Sequence, residues 1–234
     1  MLLAIDCGNT NIVFAIYDRD EQLASWRISS NSRRSTDEYI VWLTQLMTLK
    51  NINVGDITGV IIASVVPDIQ PKLIALAHRG FDLVPLCVDD PDMDLGIDIN
   101  IDRPEQAGAD RLVNAVAAAA WYDLPAIVID FGTATTLDLI GQKGAYEGGI
   151  IAPGVNLSIE ALYMAAARLP RIAVKPWQAD MPVLGTDTIS AMQSGVFWGY
   201  VGMVEGLLER LRHSYGADLP AHCDGVVWRH FCRS

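Results

Sequence analysis

A repeated segment constrains the fold of this chain more than any other feature. LLAIDCGNTNIVFAI begins at residue 2, and AIVIDFGTATTLDLI begins at residue 126. The aligned pairs are Asp6 with Asp130, Gly8 with Gly132, and Asn9 with Thr133. In both copies an apolar run precedes and follows a short turn that starts after an aspartate. Similarity at a separation of about half the chain predicts two similar α/β domains that face each other across a cleft.

Helix and strand signals alternate around the two copies. Ser35-x-x-Glu38 has the spacing of a capping box and predicts the start of a helix. The remaining predicted elements are strands over Gly59–Val66 and Leu83–Val88 with a helix between them that ends at Gly80, a helix from Pro104 to Trp121, a strand over Ala126–Asp130, a helix from Val155 to Arg168, and a long helix from Gly185 to about His213. Such alternation is typical of α/β architecture. We place the domains at residues 1–115 and 116–234.

Charge and composition exclude several classes of protein. The formal net charge is -11, and no Lys/Arg cluster interrupts it, so we do not expect nucleic acid as a ligand. The four cysteines form no C-x-x-C pair, and Asp6 interrupts the apolar stretch that a signal peptide needs. The uncharged stretch from Thr188 to Val204 is short and contains polar residues, so we interpret it as a buried helix rather than a membrane span. We expect a cytoplasmic protein with reduced thiols and no membrane partner.

The repeated turn carries groups that suit phosphate binding. A tight Gly-Asn-Thr turn after a strand presents backbone N–H groups and a hydroxyl toward one point. A carboxylate at the end of the strand, such as Asp6, can hold the Mg²⁺ that accompanies a phosphate, because Mg²⁺ prefers oxygen ligands. A single D-x-G would more often be a simple turn cap. Two copies at the ends of apolar strands favour the phosphate interpretation.

Other nucleotide-binding motifs are absent from the sequence. There is no G-x-x-x-x-G-K-[ST], and no G-x-G-x-x-G follows a predicted strand, so neither a P-loop nor a dinucleotide-binding Rossmann unit is expected. Paired phosphate loops on duplicated domains resemble the sugar kinase, heat-shock protein and actin superfamily. That resemblance implies two ribonuclease H-like domains and the use of ATP.

Five motifs narrow the resemblance to one family. In chain order they are DCGNT, GADR (residues 108–111, followed by LVNAVA), DFGTATT, EGGIIAPG and GTDT. The same motifs in this order, from residue 2 to about residue 213, resemble those of type III pantothenate kinases. The resemblance implies transfer of the γ-phosphate of ATP to the primary hydroxyl of pantothenate, which is the first step of coenzyme A synthesis. It also implies a requirement for Mg²⁺ and for a monovalent cation, K⁺ or ammonium, and a homodimer.

The same resemblance assigns roles to individual residues. Asp110 would be the base that accepts the hydroxyl proton, and Asp130 would bind the monovalent cation. Arg111 would pair either with the carboxylate of the substrate or with Asp110, and we leave both roles open. The implied nucleotide contacts are Asp6, Gly8, Asn9, Thr10, Val13 and Thr133, with Asp6 also the candidate Mg²⁺ ligand; the implied pantothenate contacts are Gly108, Ala109, Asp110, Arg111 and Thr186.

The chain departs from the family pattern in two places. Ile101 stands seven residues before Gly108, where many members have a tyrosine that contacts the substrate, so one contact is in question. After His213 the family continues with a strand and a turn resembling IATGG on the adenine side of the nucleotide, whereas this chain has SYGADLPAHCDGVVWRHFCRS. If the codons for AHCDG are read one base out of frame, they are compatible with x-Ile-Ala-Thr-Gly. We therefore hypothesise a frameshift in the gene or in its recorded sequence. Resequencing the end of the gene would test this hypothesis.

Two further questions stay open at this stage. A non-catalytic relative, such as an accessory transcription factor, and a different enzyme of the superfamily are the alternatives to a pantothenate kinase. In the long helix, Gly195, Gly199, Gly202 and Gly206 lie on one face and allow another backbone to approach closely. We favour packing within the chain over a dimer interface as the explanation of this stripe.

Overall fold

The computed structural model describes residues 1–166, 169–173, 182–216 and 218–224. The chain forms two compact units. Unit 1 comprises Met1–Ile97 and Asp102–Ala117, and unit 2 comprises Asp98–Ile101 and the chain from Ala118 onward. The fold is α/β, as predicted, and each unit is built on a mixed sheet.

Unit 1 contains a five-stranded sheet in the order β3-β2-β1-β4-β5. Strands β1, β2 and β3 pair antiparallel, whereas β4 and β5 are parallel to β1. The strands are β1 (Leu2–Cys7), β2 (Asn11–Asp18), β3 (Glu21–Ser29), β4 (Gly59–Ser64) and β5 (Leu86–Cys87). The predicted Leu83–Val88 strand is therefore reduced to two residues.

One face of this sheet is covered by two helices. Leu3, Ile5 and Cys7 of β1 are buried in a core that also contains residues of α1 (Thr36–Leu49) and α2 (Gln70–Phe81). The predicted capping box is confirmed, because Glu38 N donates to Ser35 Oγ (3.2 Å) and Ser35 N donates to Glu38 Oε2 (2.7 Å). Successive side chains of a strand alternate between faces, so Asp6 lies on the outer face of the sheet, where it is exposed.

Unit 2 contains a four-stranded sheet in the order β8-β7-β6-β9. Its strands are β6 (Ala126–Phe131), β7 (Ala134–Ile140), β8 (Tyr146–Pro153) and β9 (Ala221–Asp224). Residues of β6 and β7 form a core with α4 (Val155–Ala165) and α5 (Thr188–Tyr215). The helix α3 (Ala109–Trp121) connects the two units along the chain.

The two sheets repeat the same pattern. In each, a central strand pairs antiparallel with the next strand, which pairs antiparallel with a third, and a later strand adds in parallel on the other side of the central one. The duplication predicted from the sequence is thus confirmed in the strand pairing. The copies differ in one respect: the pair Cys7–Ile12 encloses residues 8–11, whereas the pair Phe131–Thr135 encloses residues 132–134. The second hairpin is one residue shorter.

Several predicted boundaries were wrong. The helix predicted from Pro104 begins at Ala109, because Pro104–Gln106 forms a separate 3₁₀ turn. Helix α2 continues to Phe81, and it is Asp82 that takes the left-handed conformation (φ 55°) that ends it. Helix α4 ends at Ala165, and Arg168 lies outside the described residues. Among the helices of the described residues, none combines the length and the apolar character that a membrane crossing requires.

Candidate active site

The first repeated turn is fixed by strand β3. Gly8 N donates to Asn11 O (3.0 Å), which closes the turn. Ser30, directly after β3, donates through its backbone N to Thr10 O (2.9 Å) and through its hydroxyl to Gly8 O (2.5 Å). Because Ser30 holds two carbonyl groups of the turn, the conformation of residues 8–11 is set by the sheet rather than by the turn alone. Asn9 and Thr10 are exposed.

Cys7 precedes this turn but is not a candidate nucleophile. Its side chain is buried, and burial raises the pKa of the thiol; a hydrogen bond with Ser64 lowers it and the neighbouring Asp6 carboxylate raises it further. A thiol with a raised pKa is protonated at neutral pH, and the thiolate is the reactive form. The three described cysteines are free thiols, as the sequence predicted.

The GADR segment lies at the same end of the sheet as the first turn. Parallel strands β1 and β4 end together at Cys7 and Ser64, and Val65 N donates to Cys7 O (3.0 Å). A Cβ atom added to Gly108 would lie 3.7 Å from Val65 Cγ1. The segment that starts α3 therefore packs against the carboxyl ends of β1 and β4, where open α/β sheets bind their ligands.

Asp110 occupies the first turn of α3. It is half-buried, and its Oδ1 accepts a hydrogen bond from Arg111 N (2.8 Å). A Cβ atom at Gly108 would come within 2.5 Å of the same oxygen. Glycine at position 108 thus leaves the space that the carboxylate of Asp110 occupies, which explains why these residue types stand together in GADR.

The second repeated turn is packed against a helix. Gly132 N donates to Ala134 O (3.0 Å), and Asp130 is the penultimate residue of the strand before it. Gly154 is the N-cap residue of α4, and a Cβ atom there would lie 2.3 Å from Thr133 O and 2.7 Å from Gly132 O. The N-terminus of α4 therefore touches the backbone of the turn so closely that position 154 accepts only glycine.

Tyr200 joins this second site, although the sequence did not single it out. Its hydroxyl forms a hydrogen bond with Thr135 Oγ1, which follows the turn on β7. The pKa of Tyr200 is raised by burial; the bond with Thr135 opposes this and the nearby Asp130 carboxylate adds to it. A buried tyrosine hydroxyl usually has such a partner. The only sequence signal was a tyrosine in a glycine-rich helix, which does not reveal a contact with β7.

Thr186 lies in unit 2, at the start of α5. Gly185 before it packs on the helix backbone, since a Cβ atom there would lie 2.2 Å from Ala191 N. Asp187 after it is the N-cap and accepts from Ile189 N (2.8 Å) and Ser190 N (3.0 Å). These hydrogen bonds lower the pKa of Asp187, and the bond from Ser190 N has the largest effect. In the GTDT motif, Gly185 and Asp187 thus shape the helix start and leave Thr186 exposed.

Ile101 belongs to a short segment that pairs with β8. Tyr146 N donates to Asp98 O and Asn100 N donates to Tyr146 O, both at 2.8 Å. Gly148 has φ +110°, and a Cβ atom there would lie 3.5 Å from Ile101 Cγ2. The residue that departs from the family pattern therefore packs beside the glycine pair of the EGGIIAPG motif.

The start of the atypical tail is part of the second sheet. Residues 221–224 form β9, which pairs parallel to β6 with Asp224 opposite Asp130. This strand stands directly beside the strand that ends in the second turn. The rest of the tail, residues 225–234, lies outside the described residues. The frameshift hypothesis, which concerns AHCDG at residues 221–225, stays a hypothesis.

The donor groups available at the two turns are oxygens. In the part of the chain that the structure describes, no three His, Cys, Asp or Glu side chains come together as a metal cluster. Mg²⁺ is commonly held by one or two carboxylates together with substrate phosphates and water, so it does not need such a cluster. Asp6 at the first turn and Asp130 at the second supply carboxylate oxygens of this kind.

The fold and these two turns define a class of protein: a duplicated α/β fold of the sugar kinase, heat-shock protein and actin type. Two solved structures share the fold. EutJ, an ethanolamine utilization protein from Carboxydothermus hydrogenoformans, matches with a TM-score of 0.55 and 15% identity over 99% of this chain and 80% of that chain. A protein described as a Baf family transcriptional activator, from Campylobacter jejuni, matches with a TM-score of 0.52 and 18% identity over 97% and 94%.

Sequence comparison identifies the family. The family model for type III pantothenate kinase matches residues 2–210. The type III pantothenate kinase of Paramagnetospirillum magneticum is 56% identical over 220 residues, covering 94% of this chain and 83% of the relative. That of Rhodospirillum rubrum is 55% identical over 225 residues, covering 96% and 86%. The chain belongs to the type III pantothenate kinase family.

Proposed function

We propose that this protein phosphorylates the primary hydroxyl of pantothenate with ATP, the first step of coenzyme A synthesis. The observation that carries the proposal is the family match over residues 2–210, which spans both phosphate turns, GADR and GTDT. The structure supports it, since the first turn and GADR lie at the same end of the unit 1 sheet.

In this proposal the two turns divide the nucleotide contacts. Asp6, Gly8, Asn9, Thr10 and Val13 bind the phosphates at the first turn. Thr133 provides a second contact from unit 2. Asn9, Thr10 and Thr133 are exposed at these turns. Transfer of a phosphoryl group requires mainly alignment and neutralisation of charge, which backbone N–H groups and hydroxyls of fixed turns can supply.

Asp110 is the proposed base. It accepts the proton from the pantothenate hydroxyl as the oxygen attacks the γ-phosphorus, and the bond from phosphorus to the bridging oxygen of ADP breaks. The carboxylate suits this task because Arg111 N holds Oδ1 and so fixes the orientation of the group. Gly108, Ala109 and Arg111, together with Thr186, are the proposed contacts to pantothenate.

The carboxylates also fit the proposed cations. Asp6 would hold Mg²⁺, directly or through water, and Asp130 would hold K⁺ or ammonium; both offer the oxygen ligands that hard cations prefer. When bound, these cations neutralise negative charge on the phosphates. The contact of α4 with the second turn and the bond of Tyr200 to Thr135 hold the surroundings of Asp130 in place.

A homodimer in the cytoplasm is the proposed state of the enzyme. A Cβ atom added at Gly195, Gly199 or Gly202 would meet no atom of the described residues within 4 Å, so the glycine stripe has no partner in that part of its own chain. A groove of ≈ 680 Å³ between α4 and α5 runs beside Gly195 and Gly199. These features support a second copy of the chain as the partner of the stripe, rather than the described residues of its own chain; the packing within the chain that we favoured from the sequence stays the alternative.

A measurement of ADP release from MgATP with and without pantothenate tests the function. Release that depends on pantothenate, with phosphopantothenate identified by mass spectrometry, is the expected result. ADP release that is the same without pantothenate would contradict the proposal. No observation favours a non-catalytic, transcription factor-like relative, because the likeness to the Campylobacter jejuni protein concerns the fold alone.

A further inference from the structure

The first phosphate turn lacks a positively charged residue of its own. Residues 1–18 contain no Lys or Arg, and the turn is preceded by Asp6. The whole chain has a formal net charge of -11. A triphosphate carries several negative charges, so a cationic side chain from elsewhere in the fold would strengthen binding at this turn, beside the backbone N–H groups and the proposed cations.

The strand register brings one such group to the outer face of the sheet. Asp6 stands opposite Val13 on β2, and Val13 stands opposite Arg27 on β3. Residues directly opposite one another point to the same face, so these three side chains share the outer face. Neighbouring strands lie about 4.8 Å apart, which places the backbone of Arg27 about 10 Å from that of Asp6, within reach of an extended arginine and a phosphate.

Residues nearer to the turn make the same face polar. Asn11 stands opposite Ser29, and alternation along β2 and β3 places this pair on the face of Val13 and Arg27. The opposite face is different, because the pair Phe14–Trp26 belongs to the core under α1. The outer face beside the turn thus presents a carboxylate, an amide, a hydroxyl and a guanidinium group.

The guanidinium group of Arg27 has no competing partner in the part of the chain that the structure describes. Arg27 is exposed, and among the described residues it makes no hydrogen bond or ion pair. By contrast, Arg79 pairs with Asp37, and Arg171 pairs with Glu160. A planar guanidinium group binds phosphate oxygens through two parallel hydrogen bonds.

We propose that Arg27 binds the phosphates of ATP at the first turn. The inference rests on the proposed use of ATP and adds a residue to it. Arg27 acts across Val13, on the face that carries Asp6. It supplies the positive charge that residues 1–18 lack, and its two parallel donors orient the polyphosphate relative to the turn.

Steady-state kinetics of Arg27→Gln test the proposal. We expect the KM for MgATP to rise by about 10- to 100-fold, the effect of losing one or two charge-assisted hydrogen bonds, with the KM for pantothenate within about twofold. The melting temperature should stay unchanged because Arg27 has no partner to lose among the described residues. Arg27→Lys keeps the charge without the parallel donors and should give an intermediate KM.

A matched control and a rescue sharpen the test. Arg33→Gln removes the same charge from another exposed position of unit 1 and should leave both KM values unchanged. Ser29→Arg in the Arg27→Gln background returns a cation to the same face of β3, at an exposed position outside the proposed nucleotide contacts, and should recover part of the ATP affinity.

The outcomes separate this proposal from the proposed function. If the unmutated protein shows no pantothenate-dependent turnover, the function fails, while calorimetric binding of MgATP still decides the role of Arg27. An unchanged MgATP affinity in Arg27→Gln would overturn the inference. So would an equal rise of both KM values, or the same loss in Arg33→Gln. If Arg27→Gln does not fold, the KM for MgATP of Arg27→Lys is compared with that of the unmutated protein instead, and an unchanged value would overturn the inference.

Discussion

Gly154→Ala tests whether the packing of α4 on the second turn is needed for activity. The added Cβ atom would lie 2.3 Å from Thr133 O, 2.7 Å from Gly132 O and 2.9 Å from Thr133 C. The nearest obstacles are backbone atoms, so no side-chain rotation relieves the clash. Either the turn or the first residues of the helix must move by roughly 1 Å to restore normal contact distances.

The size of the effect follows from that displacement. Forcing an extra methyl group into a packed site costs about 1–3 kcal/mol. At about 2–4 °C per kcal/mol for a chain of this size, the melting temperature should fall by about 2–12 °C. A displacement of about 1 Å at a group that positions the reactants can lower turnover by about 100-fold, so kcat/KM should fall as well if Thr133 is the nucleotide contact that we propose.

Differential scanning calorimetry and initial-rate kinetics with MgATP and pantothenate provide the measurements. Gly55→Ala is the matched control, because a Cβ atom there meets nothing within 4 Å and Gly55 lies in a 3₁₀ turn of unit 1. The control should keep both its melting temperature and its kcat/KM. If Gly154→Ala matches the unmutated protein in both quantities, the close contact between α4 and the second turn is not real and our account of Gly154 is wrong.

Three further substitutions address the proposed chemistry. Asp110→Asn should lower kcat by about 10²- to 10⁴-fold while MgATP still binds in calorimetry, because only the proton acceptor is lost; an unchanged kcat would make Asp110 structural. Asp130→Ala should abolish both the stimulation by K⁺ or ammonium at constant ionic strength and most of the activity, and equal rates of the unmutated protein in Na⁺ and K⁺ would count against this site. Tyr200→Phe leaves the buried Thr135 hydroxyl without its tyrosine partner and should destabilise the protein by about 1–3 kcal/mol, measured by denaturant unfolding; an unchanged midpoint would show that this bond contributes nothing.

Local signals predicted much of the fold. The repeat over residues 2–16 and 126–140 identified both hairpins, and the spacing of Ser35 and Glu38 located the start of α1. These features depend on residues close in sequence, so the sequence contains them directly. The wrong boundaries also have local causes. We predicted that α2 ends at Gly80, but Asp82 takes the left-handed conformation that ends this helix. Aspartate adopts that conformation less often than glycine, so its presence in the sequence is a weak signal for a helix end.

The contacts that complete the candidate site could not be predicted in this way. Gly108 packs against Val65, and Tyr200 bonds to Thr135, although each pair is far apart along the chain. Such contacts follow from how strands and helices pack, which periodicity does not specify. Arg27 is similar, because its relation to Asp6 appears only once the register of three strands is known.

The two hairpins share a topology but have different surroundings, and this difference separates binding from stability. The first turn is held by Ser30 from one side, and the adjacent outer face carries exposed Arg27. The second turn is one residue shorter and is fixed against the backbone at Gly154. A change beside the first hairpin, such as Arg27→Gln, should therefore lower ATP affinity with little effect on the melting temperature. A change at the second hairpin, such as Gly154→Ala, should lower both. Comparison of Arg27→Gln with Gly154→Ala measures this directly, and a similar loss of stability in both variants would show that the hairpins have not diverged in this way.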